Sequence, residues 1–317
     1  MHFANQYNLS KITAFRIFLY RLLSLFLVFN MPFLTLKALA FEDDHQIFLK
    51  APTNFNHQNL IVQEGAVAIL KIPKGTKITL DGQDISVTPD GLSLIGWGFG
   101  HGQKSTLKAT FLDGTQQTMH LSLKARDYTR QYIDNLEQSK VTPPTKTHVR
   151  IKREAQQVQA LRLKESPLTH WREAFQWPCE GVITGIFGSQ RILNSKPRAP
   201  HYGYDIAAPL GTPIYAPAGG KIIMAEQDLY FSGATMMIDH GYGLVSAFLH
   251  LKKFNVHLDQ SVKKGQLIGW VGSSGRSTGP HLDWRVSWFT KRLDAALLIS
   301  PSAIKIGQHV NPQTKLE

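Results

Sequence analysis

The pentapeptide His201-Tyr202-Gly203-Tyr204-Asp205 places an imidazole and a carboxylate four residues apart, with a glycine between them. Both side chains can reach one point if this segment turns. A second stretch, Ser277-Thr278-Gly279-Pro280-His281-Leu282-Asp283-Trp284, contains another histidine and another aspartate. Because side chains alternate along a strand, a strand through Leu282 would put His281 and Asp283 on one face and Trp284 in the core.

A further histidine, His250, lies between the two stretches in the segment Phe248-Leu249-His250-Leu251. The three segments together supply three histidines and two aspartates. Imidazole and carboxylate groups are the usual ligands of catalytic zinc, and such a site keeps one position open for water or substrate. The set is therefore typical of a mononuclear zinc hydrolase.

Short apolar runs separated by glycine and proline turns continue through the C-terminal part of the chain. The candidate strands here are Gly181–Gly188, Lys221–Glu226, Ala234–Asp239, Leu244–Leu251 and Val262–Gly272. The intervening residues 189–200 are basic and polar and are predicted to form a loop. This pattern predicts an all-β domain with a sheet groove over residues 176–317, and it argues against a doubly wound α/β fold.

The upstream region divides into two further parts. Residues 41–128 contain short strand-like runs with Asp113-Gly114 as a hairpin signal, which predicts a small antiparallel β-sandwich. The predicted strands are Ala66–Ile72, Leu92–Trp97, Ser105–Phe111 and Thr118–Leu123. Residues 129–175 are predicted to form a proline-containing linker and a connector helix from Val149 to Lys164 that packs on one of the β domains.

The N-terminal segment, residues 1–40, has the features of an export signal. Basic residues such as Lys11 and Arg21 flank the start of an apolar run, Leu22–Leu36, and Ala38-Leu39-Ala40 follows as a small-x-small cleavage site. The run is shorter than the ~20 residues that span a bilayer. A periplasmic or secreted protein is predicted, and the alternative is an uncleaved membrane anchor.

The charge of the chain indicates its class of partner. Lys and Arg number 35 against 23 Asp and Glu, so the 317-residue chain has a net charge of +12. This suits an anionic partner such as a cell-wall polymer or a membrane surface. Nucleic acid is disfavoured because the sequence has no long basic block and no nucleic-acid motif. Cys179 is the single cysteine, which excludes a disulfide within the chain.

The order of the motifs, His-x-x-x-Asp, then Leu-His-Leu, then Ser-Thr-Gly-Pro-His-Leu-x, resembles the lysostaphin-type family of zinc metallopeptidases. The resemblance covers about residues 177–300. It implies an exported metalloendopeptidase that hydrolyses peptide cross-links of bacterial peptidoglycan and uses one zinc ion. It also implies that His201 and Asp205 are metal ligands and that His250 and His281 are catalytic residues beside a metal-bound water.

Position 283 departs from this pattern, because the family has its third ligand histidine where this chain has Asp283. A carboxylate can bind zinc, and a harder oxygen set also suits another divalent ion such as manganese. Alternatively, Asp283 pairs with Arg285 and binds no metal. The chain would then be a catalytically impaired relative that binds the cell wall or activates another wall hydrolase.

Four more residues are candidates for substrate binding: Tyr202, Tyr204, Asn194 and Arg276. The two tyrosines lie within the first motif, Asn194 lies in the polar loop, and Arg276 lies in a glycine-containing loop before the last motif. His240 has no further ligand near it in sequence and is predicted to be structural.

Overall fold

The computed structural model describes residues 47–50, 60–134 and 142–299. The predicted export signal at residues 1–40 lies outside this range. Within it, no helix is long and apolar enough to cross a membrane. Strands dominate the described chain, so the predicted all-β fold is confirmed.

The upstream region forms two sheets. The first has the order β1-β3-β6, with β1 Ile47–Lys50, β3 Val67–Lys71 and β6 Leu92–Gly96. The second has the order β2-β8-β7-β4-β5, with β2 Leu60–Gln63, β4 Lys77–Leu80, β5 Gln83–Ile85, β7 Lys104–Thr110 and β8 Gln116–Lys124. The predicted hairpin at Asp113-Gly114 is confirmed, since it joins β7 to β8.

The prediction that these strands are all antiparallel is wrong for two pairs. Strand β1 runs parallel to β3, and β2 runs parallel to β8. Only strands joined by a short hairpin must be antiparallel. The chain passes to the other sheet between β1 and β3, and several strands separate β2 from β8, so neither pair is joined by a hairpin.

The C-terminal region forms a ten-stranded sheet with the main order β10-β13-β20-β17-β16-β15-β18. These strands are β10 Val182–Gly185, β13 Gly203–Ala207, β15 Gly220–Leu229, β16 Gly233–Gly241, β17 Leu244–Phe254, β18 Ser261–Val262 and β20 His281–Trp288. Strands β14 Pro213–Tyr215, β19 Leu267–Val271 and β21 Lys291–Leu293 pair beside this path.

The predicted loop at residues 189–200 contains a hairpin instead. Strands β11 Gln190–Leu193 and β12 Lys196–Pro197 pair with each other, and β11 also pairs in parallel with β9 Arg130–Ile133. The hairpin turns at Asn194 and Ser195, which both have positive φ. The sequence pattern does not predict these strands, because they are short and because β9, with which β11 pairs, lies about 60 residues earlier in the sequence.

The predicted connector helix is confirmed as α1, His148–Leu163. Its Val158 and Leu161 pack against an apolar cluster of the C-terminal sheet that includes Met224 and Met237. Glu154 is the buried residue of the helix, while Val149 and Leu163 are exposed. Helix α1 therefore lies on the same sheet that carries the two motifs.

A continuous apolar core joins the upstream sheets to the C-terminal sheet. It contains Ile69 and Leu107 from the upstream strands together with Phe248 and Trp284 from the C-terminal sheet. Trp284 is fully buried, as predicted. This shared core fixes the upstream region against the strands that bear the motifs.

Candidate metal centre and its catalytic histidines

The register of two neighbouring strands brings the acidic residues together. Strand β13 runs antiparallel to β20, and Asp205 lies directly opposite Asp283. His281 and Asp283 share a face of β20, while Leu282 is buried on the other face, as the alternation predicts. The two carboxylates therefore project from adjacent strands toward one point.

His201 completes a group of three potential ligands with these carboxylates. One side-chain atom from each of His201, Asp205 and Asp283 lies within 4.8 Å of the others. All three residues are buried. The backbone N–H of His201 donates to the Ser189 carbonyl, and its own carbonyl accepts from Gly188, which fixes the turn that precedes β13.

Two glycines leave room for the carboxylates. A Cβ at Gly185 would lie 2.6 Å from Oδ2 of Asp205, and one at Gly203 would lie 2.9 Å from Oδ1 of Asp283. Both separations are shorter than a carbon atom tolerates. Gly185 is therefore required by the Asp205 carboxylate, whereas at Gly203 the Trp284 carbonyl would lie closer still to such a Cβ than Asp283 does.

Each carboxylate also has an arginine partner. Arg285 donates to both oxygens of Asp283, with 2.9 Å from Nε to Oδ1 and 2.5 Å from Nη2 to Oδ2. Arg191 donates to Oδ2 of Asp205. Asp283 therefore pairs with Arg285, as the alternative drawn from the sequence predicts. Asp283 also lies close to His201.

These contacts keep both aspartates ionised. Burial and Asp283 push the pKa of Asp205 upward, but His201 and Arg191 hold it below its ordinary value. Burial also opposes the ionisation of Asp283, yet Arg285 and His201 lower its pKa far below the usual range.

The residues fit a divalent cation. Both ring nitrogens of His201 and Oδ1 of Asp205 are buried without a hydrogen-bond partner in the described structure. Nε2 of His201 lies 3.2 Å from that oxygen, so two electron-rich atoms face one small volume. Unsatisfied buried polar atoms are costly, and a cation between them would remove that cost.

A bulge in β17 positions His250. Between the pairs Phe248↔Met236 and Leu251↔Ala234, β17 has one residue more than β16. His250 lies in this bulge with φ of +65°, a conformation that is rare for residues other than glycine. The bulge turns its side chain to the groove face beside Leu249, where regular alternation would have sent it to the opposite face.

Backbone carbonyls set the tautomers of both candidate catalytic histidines. Nδ1 of His250 lies 2.7 Å from the Ser274 carbonyl, and Nδ1 of His281 lies 2.9 Å from the Gly279 carbonyl. A carbonyl only accepts, so each Nδ1 must carry the proton, which leaves Nε2 as an acceptor. The ring centroids lie 4.8 Å apart, and Nε2 of His281 lies 3.8 Å from Oδ1 of Asp205.

His250 is neutral near pH 7. Burial, with a contribution from His281, lowers its pKa to about 4. A neutral imidazole with a free Nε2 can accept a proton from water or donate a hydrogen bond after protonation. The site thus combines a cation-binding group with two oriented imidazoles.

Three of the other predicted site residues lie in three different places. Arg276 lines a cavity of about 370 Å³ together with His250, Asp283 and residues of α1. Tyr202 lines a separate cavity of about 450 Å³. Asn194 lies at the hairpin turn, and neither cavity includes it among its lining residues.

The prediction that Tyr204 lines a substrate groove is wrong. Tyr204 is 8% exposed, and its hydroxyl donates to Oδ1 of Asp294 at 2.9 Å. It alternates with Asp205 along β13 and so faces the core. His240 is structural, as predicted, because its ring nitrogens contact the Gly219 carbonyl and the Ser246 hydroxyl at 2.6 and 2.8 Å.

Sequence reasoning did not single out Arg191 as a site residue. It lies in the segment predicted to be a loop, and no local motif marks it. The signal that could have found it is the basic composition of residues 189–200 close before His201. Strand β11 brings this guanidinium to Asp205.

The model of peptidase family M23 matches residues 199–295, which include His201, Asp205 and Asp283 as well as His250 and His281. Peptidoglycan DD-endopeptidase ShyA of Vibrio cholerae is 41% identical over 105 residues, which is 33% of this chain and 24% of that protein. Lysostaphin of Staphylococcus simulans is 41% identical over 86 residues, which is 27% of this chain and 17% of that protein. The matched region thus spans a quarter or less of each of these two relatives.

A solved structure extends the likeness beyond the matched domain. The crystal structure of a protein assigned to peptidase M23 from Pseudomonas aeruginosa has a TM-score of 0.58 and 28% identity. The alignment covers 77% of this chain and 96% of that one. The similarity therefore includes much of the upstream region. Together with the buried His/Asp/Asp group and its two oriented histidines, these matches show that residues 199–295 form a peptidase M23 domain similar to that of the lysostaphin-type peptidases.

Proposed function

We propose that this protein is an exported zinc endopeptidase that hydrolyses peptide cross-links of bacterial peptidoglycan. The observation that carries the proposal is the convergence of His201, Asp205 and Asp283 beside two imidazoles with free Nε2 atoms. Support for the substrate class comes from the M23 relatives, whose names include peptidoglycan endopeptidases. The proposed export to the periplasm or medium rests on the sequence of residues 1–40. We also propose that the rest of the chain is divided into a small β domain at residues 41–128, a linker with a connector helix at residues 129–175 and a peptidase domain at residues 176–317.

The proposed roles follow from position. His201, Asp205 and Asp283 would hold the cation, which supplies Lewis acidity toward a water molecule and the scissile carbonyl. His250 accepts a proton at Nε2, since its Nδ1–H is held by the Ser274 carbonyl. His281, whose Nδ1–H is held by the Gly279 carbonyl, takes up a proton from solvent at Nε2 and donates a hydrogen bond from it to the oxygen on which negative charge develops. Zinc is the proposed ion, and a set with two carboxylates also suits another divalent ion.

The test combines metal analysis with peptidoglycan digestion. Purified protein is freed of metal with a chelator, reloaded with zinc, and incubated with peptidoglycan, and released peptides are measured by mass spectrometry. We expect peptide release that depends on zinc. We expect His250→Ala to lower the rate by about 100-fold or more while the bound metal stays constant. His257→Ala is the matched control, because this histidine is exposed and outside the site.

A second candidate function is favoured by one observation, the arginine pairing of both carboxylates. A guanidinium held on Asp283 competes with a cation for the same oxygens. The chain would then bind the wall or activate another wall hydrolase without cleaving peptide bonds. This second candidate would be supported if the native protein neither binds metal nor releases peptides, and if Asp283→His creates metal binding.

A further inference from the structure

Five arginines from five different elements line the cavity that contains His250 and Asp283. They are Arg162 of α1, Arg191 of β11, Arg276 of the loop after β19, Arg285 of β20 and Arg292 of β21. The carboxylates that line this cavity are Asp283 and Glu154. Positive charge is therefore in excess around the place where we propose the substrate binds.

The carboxylates near the cavity are already engaged. Asp283 pairs with Arg285, and Asp205 pairs with Arg191. Glu154 accepts from Arg150 and from the backbone N–H of Tyr230, so its oxygens are turned toward the helix and the β15–β16 turn. None of these acids neutralises the arginines contributed by α1 and β21.

Arg162 and Arg292 form no ion pair with a carboxylate in the part of the chain that the structure describes. Nε of Arg162 donates to the Val158 carbonyl at 3.4 Å, and the Arg292 guanidinium lies 5.4 Å from the centre of the Tyr202 ring. Burial, followed by the charge of neighbouring guanidinium groups, lowers the pKa of Arg162 and lowers that of Arg292 to about 9. Like charges that are crowded and partly desolvated are unfavourable without an anion.

We propose that this cavity binds a peptide that carries at least two free carboxylates next to the scissile bond, with Arg162 and Arg292 as the specificity-determining residues. The inference rests on the proposed function for the position of the scissile bond. Guanidinium groups bind carboxylates through paired, charge-assisted hydrogen bonds. A glycine bridge offers no side-chain carboxylate, so the arginines assign the chain to cross-links built from acidic residues.

The experiment compares two synthetic cross-link peptides that differ only in charge. One has two free carboxylates, the other has the same carboxyls as carboxamides, and capped pentaglycine is a third probe. Binding to the full chain is measured by fluorescence anisotropy, which needs no cleavage. We expect the dicarboxylate to bind about tenfold more tightly than the dicarboxamide, because a guanidinium forms stronger hydrogen bonds with a charged carboxylate than with a neutral carboxamide.

Two variants test whether Arg162 and Arg292 cause the difference in affinity between the two peptides. Arg162→Gln and Arg292→Gln are expected to weaken binding of the dicarboxylate several-fold and to leave the dicarboxamide unchanged. Arg153→Gln, on the exposed side of the same helix, is the matched control and should change neither. Equal affinity of the native chain for both peptides would overturn the proposal, and this comparison does not depend on the folding of any variant.

Two further results separate this inference from the proposed function. Peptide release with equal rates on the dicarboxylate and dicarboxamide peptides would overturn the charge preference and leave the hydrolase intact. Selective binding without any cleavage would support the charge preference and refute the hydrolase. Tighter binding of polyphosphate than of the dicarboxylate would also overturn the proposal, because it would assign the arginines to a phosphate polymer.

Discussion

At the scale of single residues, hydrogen bonds to backbone and side-chain oxygens orient two of the buried histidines. His240 is fully buried, and its ring is held between a backbone carbonyl and a serine hydroxyl. Burial lowers its pKa to about 4. The same logic orients His250, whose Nδ1–H is held by a carbonyl. His240, which supports the sheet, and His250, which faces the groove, are therefore both neutral near pH 7.

This arrangement predicts a pH-dependent stability. The pKa of His240 is about 4 in the folded protein against an ordinary value of 6.5, so the unfolded chain binds more protons between these values. The stabilisation is present above pH 6.5 and is lost as the pH falls toward 4. The loss is about 3 kcal/mol for this residue, and His250 adds a loss of the same sign.

Urea unfolding between pH 7.5 and 4.5 measures this effect. His240→Gln should be less stable at high pH but should lose less free energy of unfolding as the pH falls. His257→Gln, at an exposed position, should keep the native pH dependence. A native free energy of unfolding that stays constant over this range would contradict the prediction.

At the scale of elements, one buried carboxylate helps to attach helix α1 to the sheet. Glu154 accepts from Nε of Arg150 at 2.6 Å and from the backbone N–H of Tyr230 at 2.7 Å. Val158 and Leu161 add apolar contacts to the sheet. Because α1 also lines the cavity beside His250, its attachment determines the shape of the proposed substrate site.

Glu154→Ala should therefore loosen α1 from the sheet. The change removes the acceptor of the Tyr230 backbone N–H and of Nε of Arg150, and each such loss costs about 1–3 kcal/mol. We expect faster hydrogen exchange of the α1 amides and a lower midpoint of thermal unfolding. Lys152→Ala, on the exposed side of the helix, should change neither quantity. Unchanged exchange in Glu154→Ala would show that the apolar contacts alone hold the helix.

At the scale of the whole molecule, a buried ionic group ties the upstream region to the C-terminal sheet. Asp294 is 2% exposed and accepts from Nη1 of Arg126 at 2.6 Å and from the Tyr204 hydroxyl at 2.9 Å. The backbone N–H of Asp294 also donates to the Gly65 carbonyl. With the shared apolar core, this group makes the described regions one cooperative body.

Arg126→Ala should destabilise the whole protein. It leaves the Asp294 carboxylate buried without its cation, which costs about 3 kcal/mol or more. We expect a single unfolding transition in guanidinium for both proteins, with a lower midpoint for the variant. Arg130→Ala, at an exposed position nearby, is the control. Two separate transitions in the native chain would contradict a shared core.

Particular residues show which features of the fold and of the site can be predicted from the sequence. Alternation around Leu282 correctly placed His281 and Asp283 on one face of a strand, because strand geometry is local. The helix at His148–Leu163 followed from its apolar period. Tyr204 was misassigned because its position next to His201 and Asp205 suggested the groove, whereas alternation along β13 sends it to the core. The parallel pairing of β9 with β11 could not be predicted from the sequence, because it joins segments that are far apart in the chain.

By itself, the sequence determined the all-β class, the candidate ligands and the resemblance to the family, since residue types, their spacing and the two-residue period of strands are local properties. Only the tertiary structure placed Asp205 opposite Asp283, turned His250 to the groove through a bulge and collected arginines from five elements around one cavity. The physical reason is that register, bulges and the convergence of charges depend on pairings between distant segments, and the energies of those pairings are settled only when the sheet is assembled.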